Sequence, residues 1–302
     1  MYLDFYGLAE HPFTTTPDPK FLYLTPRHQE ALAQLAYGVR SDQGFVVLTG
    51  AIGTGKTTLL NALCDQLDGT VAAAFIANTM LPFEGLLEYI LEEFGIKIAA
   101  TSQAQRLIAL RDFLVERHRA GQKTVLIIDE AQNLSAETLE QVRLLSNFET
   151  PQSKLLRMLL VGQPELGVQL ALPELRQLRQ RVALQFSIAP LSAEETRDYV
   201  RARLRIAGAS DRGLFTDRAI HQIGRYSGGI PRVINILCDH CLLIGYADQR
   251  RRIEPDIVEE ARVHVTDASP RRRAPDLARG TRRLWAIWPW RWSRSQARQA
   301  TG

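Results

Sequence analysis

Gly50-Ala51-Ile52-Gly53-Thr54-Gly55-Lys56-Thr57 matches the phosphate-loop pattern G-x-x-x-x-G-K-[ST]. Ahead of it, Phe45-Val46-Val47-Leu48-Thr49 is apolar and β-rich and predicts a buried strand. Behind it, Thr58-Leu59-Leu60-Asn61-Ala62-Leu63 opens a helical pattern. Strand, glycine loop and helix in that order are the context in which the pattern has meaning. Glycines let backbone N–H groups turn inward onto phosphate oxygens, and the helix start adds the positive end of its dipole. The stretch from Gly50 through Thr58 is therefore expected to line the phosphates of ATP. Lys56 would bridge the β- and γ-phosphates, and Thr57 would offer its hydroxyl to Mg2+. The plainer alternative is a glycine turn between a strand and a helix.

A second stretch, Lys123-Thr124-Val125-Leu126-Ile127-Ile128-Asp129-Glu130, predicts a strand buried on both faces with two carboxylates at its carboxyl end. In open parallel sheets that end is where ligands bind. Asp129 is accordingly expected to hold Mg2+ directly or through water, and Glu130 to orient the water that attacks the γ-phosphate; a carboxylate pair can otherwise serve as a helix cap. Leu155 to Val161 predicts a further buried strand. Gln163, just beyond it, reaches the same sheet edge, either as a γ-phosphate sensor or as a turn residue. Three arginines follow, Arg176, Arg179 and Arg181. Guanidinium groups spread the charge of a phosphoryl transition state. Arg181, then Arg179, is the candidate for a finger reaching a neighbouring subunit's site, against the alternative of solvated arginines. In Ser227-Gly228-Gly229-Ile230-Pro231-Arg232, a helix start carries Arg232, which either folds over the nucleotide phosphates or is a surface arginine.

The remaining elements frame these motifs. Residues 1–27 are rich in aromatics and proline and cannot form a long helix, but they can lie as a strap over apolar surface, either walling the base pocket or only capping the core. Helical spacing runs over His28 to Val39, Pro82 to Phe94, Gln103 to Ala120 and Ser135 to Phe148, with Ser135 as N-cap. Val71 to Ala77 reads as a buried strand and Val182 to Ile188 as strand-like. After Pro190-Leu191-Ser192 the pattern is helical throughout: Ala193 to Ile206, Asp217 to Tyr226, Ile230 to Tyr246 and Pro255 to Val265. The predicted organisation is a strap over 1–27, an α/β nucleotide-binding domain over 28–189, a helical lid over 190–265 and a basic tail over 266–302.

Composition sets outer limits. The chain has 302 residues, 45% of them hydrophobic, enough for one large core or two smaller ones. Three cysteines, Cys64, Cys238 and Cys241, all in apolar helical patterns, argue against a disulfide framework and for a reducing, cytoplasmic setting. Cys238-Asp239-His240-Cys241 has half of a metal-site spacing but no second half, and is expected to be packed helix. The start Met1-Tyr2-Leu3-Asp4 is no secretory signal, and no run of 18 apolar residues suggests a membrane span. Of the net charge of +4, the nine Arg and two Asp from Thr266 onward supply +7, leaving −3 for residues 1–265. That last segment also holds all four tryptophans, between Trp285 and Trp292. Arginine with tryptophan suits an anionic membrane surface or stacking on nucleic acid; the alternative is a solvated, disordered tail.

Taken as a set, these motifs resemble the AAA+ ATPases of the ExeA/GspA family. The resemblance rests on Met1-Tyr2-Leu3-Asp4-Phe5-Tyr6-Gly7-Leu8, His11-Pro12-Phe13, Thr16-Pro17-Asp18-Pro19, Ile127 through Leu134, Gly162-Gln163-Pro164-Glu165-Leu166, Leu178-Arg179-Gln180-Arg181-Val182 and Gly228 through Asn235. It covers roughly residues 1–265. It implies a P-loop NTPase fold of the AAA+ additional-strand class: a five-stranded parallel sheet with a helical lid, ATP held between them, and a ring or filament in which an arginine completes a neighbour's site. The implied function is Mg2+-dependent ATP hydrolysis coupled to self-assembly and to remodelling of an export or envelope partner, peripheral at the inner membrane. Relatives in secretion continue into a membrane helix and a peptidoglycan-binding domain, where this sequence has the Arg/Trp segment. Similar domains serve as transposition regulators assembled on duplex DNA, which is the alternative reading. A third is a nucleotide switch with negligible hydrolysis.

Overall fold

The computed structural model describes residues 2–267, apart from 17, 42, 43, 68, 100, 101 and 210–212. In chain order the strands are β1 (Phe45–Gly50), β2 (Val71–Ile76), β3 (Lys123–Ile128), β4 (Arg157–Gly162) and β5 (Val182–Ile188). The helices are α1 (Tyr2–Tyr6), α2 (Pro26–Arg40), α3 (Lys56–Asp65), α4 (Phe83–Glu93), α5 (Gln103–Arg119), α6 (Ala136–Leu145), α7 (Pro164–Leu170), α8 (Arg176–Arg179), α9 (Ala193–Ile206), α10 (Asp217–Ser227), α11 (Pro231–Ala247) and α12 (Pro255–Asp267).

Hydrophobic continuity decides where each strand lies. β1 and β4 are buried at every residue and β3 at all but its first, as parallel strands covered on both faces must be. All pairings are parallel, in the order β2-β3-β4-β1-β5. β2 departs from the expected buried strand: it is the edge strand next to β3, and its Ala73 is exposed. With one neighbour instead of two, alanines suffice. The register pairs Leu48 with Val161 and Ile128 with Leu160, so the chain leaves β1, β3 and β4 at nearly one level of the carboxyl edge.

Apolar clusters cover both faces of the sheet. One joins Phe45, Leu126, Ile128 and Leu160 to α4, α5 and α6. The other joins Val46, Leu48, Ile127 and Leu159 to α2 and α3. Ser135 caps α6 as its sequence predicts; Thr25 and Thr216 likewise accept from backbone N–H groups as N-caps, and Ser102 and Ser192 form capping boxes.

A third cluster belongs to α9–α12, and the N-terminal aromatics enter it. Tyr2, Tyr6, Phe13 and Phe21 are buried there with Tyr199, Val200, Ile234 and Leu242. Cys238 and Cys241 are buried in the same core, where loss of solvation pushes the Cys241 thiol up to about 12. Arg203 of α9, only 6% exposed, fastens the strap. It donates to Pro12 O at 2.5 Å and to the Tyr199 hydroxyl at 2.9 Å, and its guanidinium lies 4.8 Å from the Phe21 ring centre. Asn235 of α11 completes the fastening, donating to Thr14 O at 3.2 Å and accepting from the Tyr199 hydroxyl at 2.9 Å. Arg203→Ala would leave the Pro12 carbonyl without its donor and remove the guanidinium from the Phe21 ring, and is expected to cost about 2 kcal/mol, with trypsin cutting at Lys20 before global unfolding. Equal melting temperatures for parent and variant would show that the aromatic contacts hold the strap by themselves.

Candidate nucleotide-binding site

The phosphate loop leaves β1 at Gly50 and enters α3 at Lys56. Gly53 has φ +80° and Gly55 φ +98°, conformations that side chains rarely adopt, and the left-handed Gly55 caps α3. Gly50 is confined as well, since a β-carbon there would stand 2.9 Å from Thr54 Oγ1. The loop is closed by Thr54 Oγ1, which donates to Ala51 O at 2.8 Å. Lys56 Nζ folds back over it and donates to Gly50 O at 2.8 Å and Ala51 O at 3.1 Å. An ammonium has three donors, so one is left, and phosphate oxygens would compete well for the other two. Burial lowers the Lys56 pKa, while Glu130 and Asp129 act in the opposite sense.

Asp129 stands at the tip of β3, 5% exposed, its N–H donating to Ile76 O at 2.9 Å. Its Oδ2 accepts from Thr57 Oγ1 at 3.0 Å and its Oδ1 from the N–H of Glu130 at 2.9 Å. Burial raises its pKa, partly offset by those two hydrogen bonds. A buried carboxylate beside a helix-start hydroxyl fits Mg2+, which takes few protein ligands and keeps its own waters. Thr57 and Asp129 would hold the ion. The loop glycines, Lys56 and the N-terminal turn of α3, with Thr58, would hold the triphosphate.

Glu130 follows with φ +52° and ψ +36°, a left-handed conformation uncommon outside glycine. Its Oε2 accepts from Gln132 Nε2 at 2.6 Å and from Gln163 Nε2 at 3.3 Å. Gln163, immediately after β4, thus lies beside Glu130. Arg232 reaches the loop from the other side. Its N–H donates to Gly53 O at 3.3 Å, and a β-carbon on Gly53 would come within 2.7 Å of Arg232 Cβ. The guanidinium itself is hydrogen bonded to no described residue.

Arg181 and Arg179 lie elsewhere. Val182 pairs with Phe45 at the amino end of β1, which puts Arg181 roughly 16 Å of strand away from Gly50. Arg181 Nη1 is bonded to the Ser146 hydroxyl and to Asn147 Oδ1 at 2.7 Å, and exposed Arg179 donates to Ala171 O at 3.3 Å. Neither reaches the loop of its own chain.

Two residues in the site were not anticipated. His28 of α2 is buried, with Nδ1 2.8 Å from Thr25 Oγ1 and Nε2 3.4 Å from Thr54 O, and burial lowers its pKa. The strap therefore ends beside the phosphate loop, although its aromatics pack into the helical core. Gln132 is the other. The helix expected from His28 starts two residues earlier, at Pro26, and nothing in periodicity points from residue 28 to residue 54. The expectations for the Arg/Trp segment fall on residues 268–302, outside the described residues.

A family model described as an AAA domain matches residues 39–170. General secretion pathway protein A of Aeromonas hydrophila is 44% identical over 254 residues, covering 84% of this chain and 46% of that protein. The chain thus spans about half the length of that relative. Among solved structures, Cdc6p from Pyrobaculum aerophilum superposes with a TM-score of 0.64 at 19% identity, over 82% of this chain and 70% of that one. The Aeropyrum pernix ORC2 protein, in ADPNP and ADP complexes, gives 0.62 at 17% identity, over 85% and 73%. At such identity these two likenesses concern the fold.

The Asp129 shift has a testable sign. A carboxylate whose folded pKa is raised binds its proton more tightly in the folded state, so its contribution to stability falls as pH rises through that pKa. Asp129→Asn should therefore melt higher than the parent at neutral pH without nucleotide, with the gain shrinking toward acidic pH, while magnesium-dependent nucleotide affinity drops. A variant that melts lower at neutral pH would show that the hydrogen bonds to Asp129 outweigh its burial.

Proposed function

We propose that this chain, which carries an AAA domain and is 44% identical over 254 residues to a general secretion pathway protein A, is an AAA+ ATPase of that kind, which hydrolyses Mg2+-bound ATP and uses its nucleotide state to assemble with copies of itself and remodel an export or envelope partner. One observation carries the reading. Lys56, Thr57, Asp129, Glu130 and Gln163 converge at one sheet edge, linked by Thr57 to Asp129 at 3.0 Å and Gln163 to Glu130 at 3.3 Å, with the start of α11 laid on Gly53.

Phosphoryl transfer needs in-line geometry and charge neutralisation more than covalent chemistry. The loop N–H groups and Lys56 grip the phosphates, and Arg232 covers them from the lid. Glu130 accepts a hydrogen bond from the attacking water and directs it in line with the leaving group. Gln163 donates to the γ-phosphate and so reports its presence. Bound magnesium would supply positive charge at the phosphate oxygens.

Self-assembly is supported by the placement of Arg181 and Arg179, too distant to serve their own site; in a neighbour's site, Arg181 would exchange its bonds to Ser146 and Asn147 for phosphate oxygens. The export partner is supported by the 44% identity to the secretion protein, which weighs for that reading over assembly on duplex DNA. No helix among the described residues is long and apolar enough to cross a membrane. Contact with an anionic inner-membrane surface would fall to residues 268–302.

Glu130→Gln should keep ATP affinity and lose turnover roughly a hundredfold or more, measured by phosphate release; turnover at the parent rate would remove Glu130 from the water-orienting role. For the arginine, Lys56→Ala and Arg181→Ala proteins should each be inactive alone and regain part of the activity when mixed, because mixed interfaces join an intact site to an intact arginine. No recovery on mixing, with Arg179→Ala recovering instead, would move the finger to Arg179.

A further inference from the structure

The two oxygens of Glu130 stand in different surroundings. Oε2 takes both amides, Gln132 Nε2 at 2.6 Å and Gln163 Nε2 at 3.3 Å, while no described residue donates to Oε1. Gln132 is itself held at its other end, where its Oε1 accepts the N–H of Gln163 at 2.9 Å. The same oxygen lies where a β-carbon on Gly162 would come within 2.6 Å, so the last residue of β4 has to be small for the amide to reach the strand tip. The network permits one amide orientation. Turned over, Gln132 would set a carbonyl against a carboxylate and an NH2 against an N–H.

We propose that Gln132 is a positioning residue for hydrolysis: it anchors one oxygen of Glu130 so that the other faces the attacking water, and it ties that aim to the backbone at the tip of β4. The inference rests on the hydrolytic reading above and assigns the two glutamines different duties. Gln163 can release Glu130 and turn its side chain to a γ-phosphate oxygen. Gln132 remains bound to Glu130 throughout, with its second bond on the Gln163 N–H, which that turn leaves in place. Arrival of the phosphate thereby frees Gln163 without freeing the carboxylate. A terminal carboxylate torsion is soft, so a Glu130 lacking the anchor would spend much of its time misdirected, which slows the chemical step and leaves binding alone.

Gln132→Met keeps the length of the side chain and removes the amide. Steady-state ATP turnover and the affinity of a fluorescent ATP analogue separate the possibilities. We expect kcat to fall roughly tenfold, with KM and analogue affinity within about twofold of the parent. Gln132→Glu, which retains an acceptor for the Gln163 N–H but opposes carboxylate to carboxylate, should fall further with analogue affinity again maintained. A parent-like kcat in Gln132→Met overturns the proposal, and so does a loss of analogue affinity in step with kcat, which would make Gln132 a structural residue. A parent protein with no turnover above that of Lys56→Ala would overturn the hydrolytic reading itself, and this inference with it.

Discussion

The hydrogen bond from Thr57 Oγ1 to Asp129 Oδ2, 3.0 Å long, spans β4 to join the first turn of α3 to the tip of β3. Residues 72 positions apart meet because the parallel register ends β1, β3 and β4 at nearly one height. A slip of one residue would turn every side chain of a strand to the opposite face. Each face of β1, β3 and β4 is close-packed against its own set of helices, so such a slip would mismatch side-chain shapes on both sides. The chemistry of the edge thus hangs on the packing of Val46, Leu48, Ile127 and Leu159 below it.

The site is also internally opposed. Burial makes the charged forms of both Lys56 and Asp129 costly, lowering one pKa and raising the other. A triphosphate restores the preference of the lysine for its proton, and a divalent cation restores the preference of the carboxylate for its charge. Two shifts of opposite direction therefore have one cause, burial of both groups, and the proposed nucleotide and magnesium would offset both.

The loop is touched from two sides. Arg232 at the start of α11 donates its N–H to Gly53 O, and His28 at the start of α2 lies against Thr54 O. The strap that precedes His28 is buried in the helical core and tied there by Arg203 and Asn235. Were phosphate to shift the loop, as the proposed function requires, the shift would meet the helices through α11 directly and through the strap.

The phosphate loop, the carboxylate pair, most helix boundaries and the parallel character of the sheet were readable along the chain, because each is written in local terms. Glycine spacing fixes backbone conformation, continuous apolar runs demand burial on both faces, and capping residues bond to N–H groups two or three positions away. Distant pairings carry no such signature. Nothing local placed β2 at the edge, sent Tyr2 and Phe13 into the core of α9–α12, brought His28 to the loop, or turned Gln132 toward Glu130 and the Gln163 N–H. Those contacts exist only once strand order and helix packing have set the partners side by side, and a hydrogen bond a few ångströms long between residues far apart in sequence is a property of that packing.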